Sequence, residues 1–344
     1  MNFNSDLELL EDFTKFRNLK EISKKSYKTS INLYTKFNNE SFINLLKEAE
    51  AEETAKIRWK DRKLKKRLLN FRSFLVQNYM KNYTRITLNR IITIYRHYDV
   101  EVHSLPNQSS KNYLESAPVT YDDLPDRQII KNALEISTPV MRAVMLFMIS
   151  SGCARRETLN ITVDDFIKAT KDYHSSDNIN DVLRVLKHEK VVPTFKLKRQ
   201  KTNKYYYTFC SPEAVFEIIS YLSARDDLNS SDKLFDIHPE SLIRCFININ
   251  NRLDLGKCGT YNRYRSHALR KFHASSLKNS GMLIEDINSL QGKSRGATDE
   301  AYFFENPEVL KQKYVKHLNA VTVYDENMVG KVKRKDFKVS SYLT

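Results

Sequence analysis

The sequence predicts a mainly α-helical protein of two domains, with a small β-sheet or hairpin in the second. Three observations carry that reading. Apolar residues recur at helical spacing through much of the 344 residues, while Gly and Pro, the residues that break helices, number only 7 and 8. A polar stretch, Pro106-Asn107-Gln108-Ser109-Ser110, interrupts the pattern and divides the chain. Two runs rich in β-branched and aromatic residues, Val191 to Leu197 and Tyr205 to Phe209, flank a basic tip, as the strands of a hairpin do. Residues 1–105 are thus expected to form a helical domain, 106–118 a linker, 119–324 a second domain and 325–344 a basic tail.

Composition narrows the partners. Hydrophobic residues at 41% against 29% charged mark a folded chain, long enough for two sizeable cores. Lys and Arg exceed Asp and Glu by 57 to 42, a formal charge of +15. Such an excess favours a polyanionic partner, because every neutralised phosphate releases condensed counterions. Cys153, Cys210, Cys245 and Cys258 are scattered and form no Cys-x-x-Cys pair, so they read as reduced thiols rather than zinc ligands or disulfides. No targeting pattern opens the sequence, and its longest apolar run, Val140 to Ile149, is interrupted by Arg142 and too short for a bilayer. A cytoplasmic protein without metal or other cofactor is expected, since no Walker loop or ligand cluster occurs either.

In the first domain, Leu7, Leu10, Phe13 and Phe16 share one helical face, as do Ile31, Tyr34 and Phe37. A helix from Ile57 to Leu75 has a buried stripe of Leu64, Leu68, Phe71 and Leu75. Its remaining surface carries Arg58, Lys60, Arg62, Lys63, Lys65, Lys66, Arg67 and Arg72, a crowd of like charges that a phosphate backbone would relieve. A helix from Thr87 to Tyr98 follows, with Ile91, Ile92 and Tyr95 inward.

The second domain is expected to open with a helix over Asp122 to Ile136. Thr138-Pro139 then starts a central helix, apolar on nearly all sides, that runs out at Gly152. Cys153-Ala154-Arg155-Arg156-Glu157 follows, and either Arg155 or Arg156 is a candidate anion ligand. Phe166 to Glu189 reads as a partly polar insertion with a helix at Val182 to Leu186. The hairpin tip carries Lys198, Arg199, Lys201 and Lys204. Helices over Glu213 to Tyr221 and Pro239 to Leu253 precede an aromatic and basic segment ending at Arg265.

The chemistry concentrates between Arg265 and Tyr302. His267 and Arg270, three residues apart, lie on one helical face, so an acid–base group and a guanidinium point to the same spot. A helix then stops at Gly292, a loop carries Lys293 and Arg295, and Tyr302 follows Lys293 by nine residues. Together these make a phosphate site beside a possible nucleophile. Tyr314 falls on the apolar side of the next helix, with Leu310, Val315 and Leu318, and reads as structural.

This order resembles the tyrosine recombinase (phage integrase) family, and within it the archaeal-like integrases. His267-x-x-Arg270 matches the family's second motif, Leu290 to Lys293 its helix–Gly–His/Trp step, and Tyr302 its nucleophile; the His/Trp slot holds Lys293. The segment after Gly152 matches the first motif, with the Arg at 155 or 156 where many members place it at the position of Ala154. The resemblance spans roughly residues 120–320 and implies a two-domain DNA clamp, a helical core-binding domain beside a catalytic domain. It further implies a site-specific recombinase that cuts and rejoins DNA through a 3′-phosphotyrosyl intermediate. Arg155 and Arg270 would then bind the phosphate, His267 would take the Tyr302 proton, Lys201 (or Lys204) would protonate the leaving oxygen, and Lys293 would contribute electrostatically. The partners would be double-stranded recombination sites, a homotetramer on two sites, and accessory DNA-bending proteins. Arg58, Lys60, Arg62, Lys63, Lys66, Lys198, Arg199, Lys204 and Arg265 are candidate DNA contacts. Integration or excision of a mobile element, dimer resolution, type IB topoisomerase action and an inactive DNA-binding protein on the same fold stay open at this level.

Overall fold

A computed structural model describes residues 3–107, 119–293 and 306–324. They divide into two compact units at Ala117 and Pro118, each with a core of its own. The first unit holds helices α1 (Asp6–Phe16), α2 (Glu21–Asn38), α3 (Phe42–Thr54), α4 (Lys63–Asn78) and α5 (Lys81–His97). Asp6 joins two of them: its carboxylate accepts from the Phe42 and Ile43 amides, both at 3.0 Å, so the first residue of α1 satisfies the open start of α3. Tyr34, Phe42, Phe71 and Tyr95 pack at the centre, edge to face or tilted, and the Tyr95 and Tyr34 hydroxyls meet at 3.3 Å.

The expected α4 stripe is buried as a whole: Leu64, Leu68, Phe71 and Leu75 are each 2% exposed or less. The helix, however, begins at Lys63, not at Ile57. Glu52 is the cause, because its buried carboxylate accepts from the Lys63 and Leu64 amides at 2.7 and 3.3 Å and fixes the helix start there. Residues Trp59–Asp61 instead form a single 3-10 turn. In α1 the inward face is Leu9, Leu10 and Phe13, whereas Leu7 and Phe16 are 51% and 74% exposed. Helical spacing alone allowed either stripe, and α1 is turned so that Leu9 faces the core.

In the second unit α6 (Arg127–Glu135) starts five residues later than expected. Pro125 disfavours helical geometry in Leu124, and Asp126 then caps the helix by accepting from the Ile129 amide at 2.7 Å. α7 (Pro139–Ser151) opens on Thr138-Pro139 as expected and is buried along nearly its whole length. Its end is left-handed Gly152, at φ 66°. The segment after it forms α8 (Arg155–Asn160), α9 (Val163–Ala169) and α10 (Ile179–Leu186), so the supposed polar insertion is mostly helical and contributes Phe166, Ile179, Val182 and Leu186 to the core. β1 (Thr194–Lys198) and β2 (Tyr205–Phe209) pair antiparallel, with Lys198 opposite Tyr205. α11 (Pro212–Leu222), α12 (Pro239–Arg252), a two-residue pair β3 (Lys257–Cys258) and β4 (Tyr261–Asn262), α13 (Ser266–Asn279), α14 (Ile284–Leu290) and α15 (Pro307–Lys316) complete it. α11 and α13 both pack on α7, which therefore lies at the middle of the unit. Tyr314 is fully buried and donates to the Ser150 carbonyl at 2.9 Å, the structural role read from its spacing.

Candidate phosphate-binding site

The site forms where the end of α7, strand β2, the first turns of α13 and the turn after α14 meet. Two glycines let them approach. A Cβ on Gly152 would stand 2.5 Å from the His273 ring, and one on Gly292 2.6 Å from the Tyr206 ring. Both glycines have positive φ, which L side chains adopt only at a cost. Strand β2 is tied to the same place: Thr208 donates to the Ser151 carbonyl at 2.8 Å, and the Tyr206 hydroxyl lies 3.4 Å from the Cys153 sulfur. Burial pushes the Cys153 thiol and the Tyr206 phenol up, so both stay neutral.

Arg270, in the second turn of α13, is 7% exposed. Its guanidinium donates to two main-chain carbonyls, Gly152 at 2.5 Å and Gln291 at 2.7 Å. The Gln291 side chain returns a bond to the Arg270 carbonyl at 3.1 Å, so helix α13 and the turn hold each other. Burial depresses the Arg270 pKa, and the neighbouring Arg199 adds to the effect. Glu157, buried at the start of α8, also acts on Arg270, but its Oε2 has no hydrogen-bond partner among the described residues. A buried cation held by carbonyl dipoles rather than by a bonded carboxylate is poised to accept an anion.

Lys293 and His267 face the same charges. Desolvation, then Arg270 and Arg199, lower the Lys293 pKa. His267, in the first turn of α13, is pushed down by desolvation and then by Lys271, Arg265, Arg270 and Lys293. It is therefore a neutral imidazole at pH 7, able to take a proton. His273, one turn beyond Arg270, is fully buried, its pKa pushed down to about 3. Being neutral, it donates from Nδ1 to the Ile149 carbonyl at 3.0 Å, which makes it a packing residue.

Arg155 and Arg156 open α8, three and four residues past the Gly152 carbonyl that Arg270 holds; Arg155 is half-buried and Arg156 exposed. Lys201 and Lys204 sit exposed in the hairpin turn, which closes through Arg199 N–H to the Lys204 carbonyl at 2.7 Å and a left-handed Asn203. No described contact joins Lys201 to Arg270 or His267. Tyr302 and Arg295 lie outside the described residues. Helix α14 stops at Gly292 as expected: Leu290 is its last helical residue, Gln291 its C-cap, and left-handed Gly292 follows at φ 57°. Among the described residues no cluster of three or more His, Cys, Asp or Glu could hold a metal, and no helix is long and apolar enough to cross a membrane.

No protein-family model and no curated protein matches the sequence. Solved structures do match. A Tn1549 transposon integrase in complex with transposon right-end DNA superposes with a TM-score of 0.53 over 90% of this chain and 98% of that one, at 10% identity. A lambda integrase dimer bound to a core site superposes with a TM-score of 0.52 over 88% and 98%, at 13% identity. The chain has the tyrosine-recombinase fold. That fold spans nearly the full length of both neighbours, and the architecture read from helical spacing and the hairpin is the one observed.

On this fold the basic candidates of the first unit separate. Arg58, Lys60 and Lys66 are exposed. Arg62 is not: it is 8% exposed, and its guanidinium donates to the Ile57 carbonyl and the Glu53 carboxylate, both at 2.9 Å, and pairs with Glu101 at 3.6 Å. It is withdrawn from the basic surface. Lys63 and Arg67 both pair with Glu48, at 3.1 and 2.8 Å, which relieves part of the crowding that the sequence implied. In the second unit Lys198 lies over the Tyr205 ring at 5.6 Å, and Arg265 over Tyr261 at 4.5 Å. Gln291 carried no signal in the sequence, because its backbone carbonyl is the acceptor and any residue supplies one.

Proposed function

We propose that the chain is a site-specific DNA recombinase that breaks and rejoins strands through Tyr302. The observation that carries this reading is the buried Arg270 guanidinium, held by carbonyls beside Arg199 and Lys293, on an integrase fold. Such a cluster fits the non-bridging oxygens of a phosphodiester, and stabilising charge there is worth about 3 kcal/mol per well-placed donor.

In the proposed reaction the Tyr302 oxygen attacks phosphorus in line and the bond from phosphorus to the 5′ oxygen breaks. His267 takes the phenolic proton, and Lys201 gives a proton to the leaving oxygen, leaving a 3′-phosphotyrosine and a free 5′ hydroxyl. Attack by a second 5′ hydroxyl reverses the step and joins new partners. Arg155, at the start of α8, would add a second guanidinium to the phosphate, with Arg156 as the other candidate. Lys293 would stand where the family carries His or Trp. We further assign the protein to integration or excision of a mobile element in the cytoplasm, as a homotetramer on two sites. A helical core-binding domain gripping one side of the duplex and accessory bending proteins would complete the assembly.

Covalent trapping tests this. Wild type and Tyr302→Phe are incubated separately with sheared genomic and element DNA, denatured in detergent, and the protein-linked fragments sequenced. The expected result is adducts from wild type alone, clustered at one sequence. Salt-sensitive DNA binding without adducts from either protein would instead establish an inactive binder.

A further inference from the structure

Two guanidiniums from distant parts of the second unit share one acceptor. Arg270 Nη2 and Arg199 Nη1 donate to the same Gln291 carbonyl oxygen, at 2.7 and 2.5 Å. Arg199 comes from the end of strand β1, at the root of the hairpin turn, and Arg270 from α13. Like charges drawn to one oxygen repel, and the repulsion appears on both neighbours: Arg199 depresses the pKa of Arg270 and of Lys293. Glu157 acts on Arg270 only from a distance, no described carboxylate forms an ion pair with either guanidinium, and the Gly152 and Gln291 carbonyl dipoles do not neutralise two unit charges.

A surface arginine with free choice of rotamer would turn away from such company. Arg199 is instead half-buried, with its backbone amide and carbonyl both engaged in closing the turn, to Lys204 at 2.7 Å and from Asn203 at 2.8 Å. The Gln291 carbonyl occupies only one of its five N–H donors among the described residues. The arrangement is that of a guanidinium fork with donors to spare, held beside Arg270.

We infer that Arg199 is a further ligand of the reacting phosphate, held in register with Arg270 by the Gln291 carbonyl, rather than a contact to the duplex backbone away from the site. The inference rests on the recombinase reading and extends its anion site by one arginine. Arg199 then binds a non-bridging oxygen from the hairpin side while Arg270 binds from the α13 side. Gln291 acts as a positioning residue, through its main chain.

Inorganic phosphate is the probe. The thermal midpoint of the full chain is followed against phosphate at constant ionic strength, with chloride as the balancing anion. Wild type should be stabilised in a saturable way. Arg199→Gln keeps a donor for the Gln291 carbonyl but loses the charge; its midpoint in chloride should hold, while its apparent phosphate dissociation constant rises about tenfold. Arg199→Lys, which restores the charge without the fork, should recover part of that loss. An equal phosphate response in wild type and Arg199→Gln would make Arg199 a structural clamp on the 291–292 turn and overturn the inference, leaving the recombinase reading intact. Loss of midpoint in chloride for Arg199→Gln with unchanged phosphate affinity would overturn it in the same way. No phosphate response in wild type would sink the anion site altogether, and the reading it rests on.

Discussion

The two histidines of α13 show how position within one helix sets a side chain's task. His267 stands in the first turn among Arg265, Arg270, Lys271 and Lys293, and desolvation with these charges holds its pKa below the ordinary 6.5. As the proposed proton acceptor it would work in the neutral form, so the rate of adduct formation should stay level on acidification past pH 6.5 and fall only below it. His267→Ala should slow adduct formation by about 10²-fold or more and remove that acid limb; an unchanged profile in the variant would take His267 out of the reaction. His273 is the opposite case, a buried group with no role in proton transfer. Its folded pKa is pushed down to about 3 against 6.5, so between those values the unfolded chain binds a proton that the folded chain refuses. Its contribution to stability is whole above pH 6.5 and is lost as the pH falls towards 3. Between pH 7 and 5 this amounts to about 2 kcal/mol. Urea unfolding of wild type and His273→Leu at both pH values checks it: the variant should lack that part of the slope.

Among the elements, the site depends on two helix ends and a hairpin that approach at glycines. Gly292→Ala combines a left-handed backbone with a Cβ 2.6 Å from the Tyr206 ring. The conformational part costs about 1–2 kcal/mol and the overpacking about 1–3. Chemical unfolding should therefore show a loss of about 2–5 kcal/mol in Gly292→Ala, and a loss of similar size in Gly152→Ala, which meets His273. A neutral Gly292→Ala would mean that Tyr206 moves aside freely and that the turn is not held as described. Elements whose periodicity decides a face were readable in the sequence: the Leu64, Leu68, Phe71 and Leu75 stripe, the all-round apolar α7, and β2 at Tyr205–Phe209. What escaped depends on residues far apart in the chain. Glu52 decides where α4 begins, from a turn of α3 that no pattern near Lys63 announces. Arg62 looks like its basic neighbours until Glu53 and Glu101 are seen to surround it. The pairing of Arg199 with Arg270 exists only because residue 291 lies between them in space.

For the whole molecule, charge and core are distributed so that the first unit should stand alone. Its apolar cluster, from Leu9 and Phe13 to Tyr95 and Val102, is closed within the unit, and Arg72 holds the Pro106 carbonyl at 2.6 Å. A fragment of residues 1–107 is therefore expected to unfold in one cooperative transition. In that fragment two classes of basic residue should respond differently to removal. Arg62 is buried against Glu53 and Glu101, so Arg62→Ala should cost about 2–3 kcal/mol of stability. Lys60 and Lys66 are exposed, so replacing both with Ala should leave stability within about 0.5 kcal/mol. If they touch phosphates, the double variant should bind duplex DNA more weakly at low salt. The slope of log K against log salt should also fall by about 0.9 for each phosphate that is no longer neutralised. Arg62→Ala that remains folded should keep the wild-type slope. Identical slopes for wild type and the Lys60 and Lys66 double variant would place the duplex on another face of the unit.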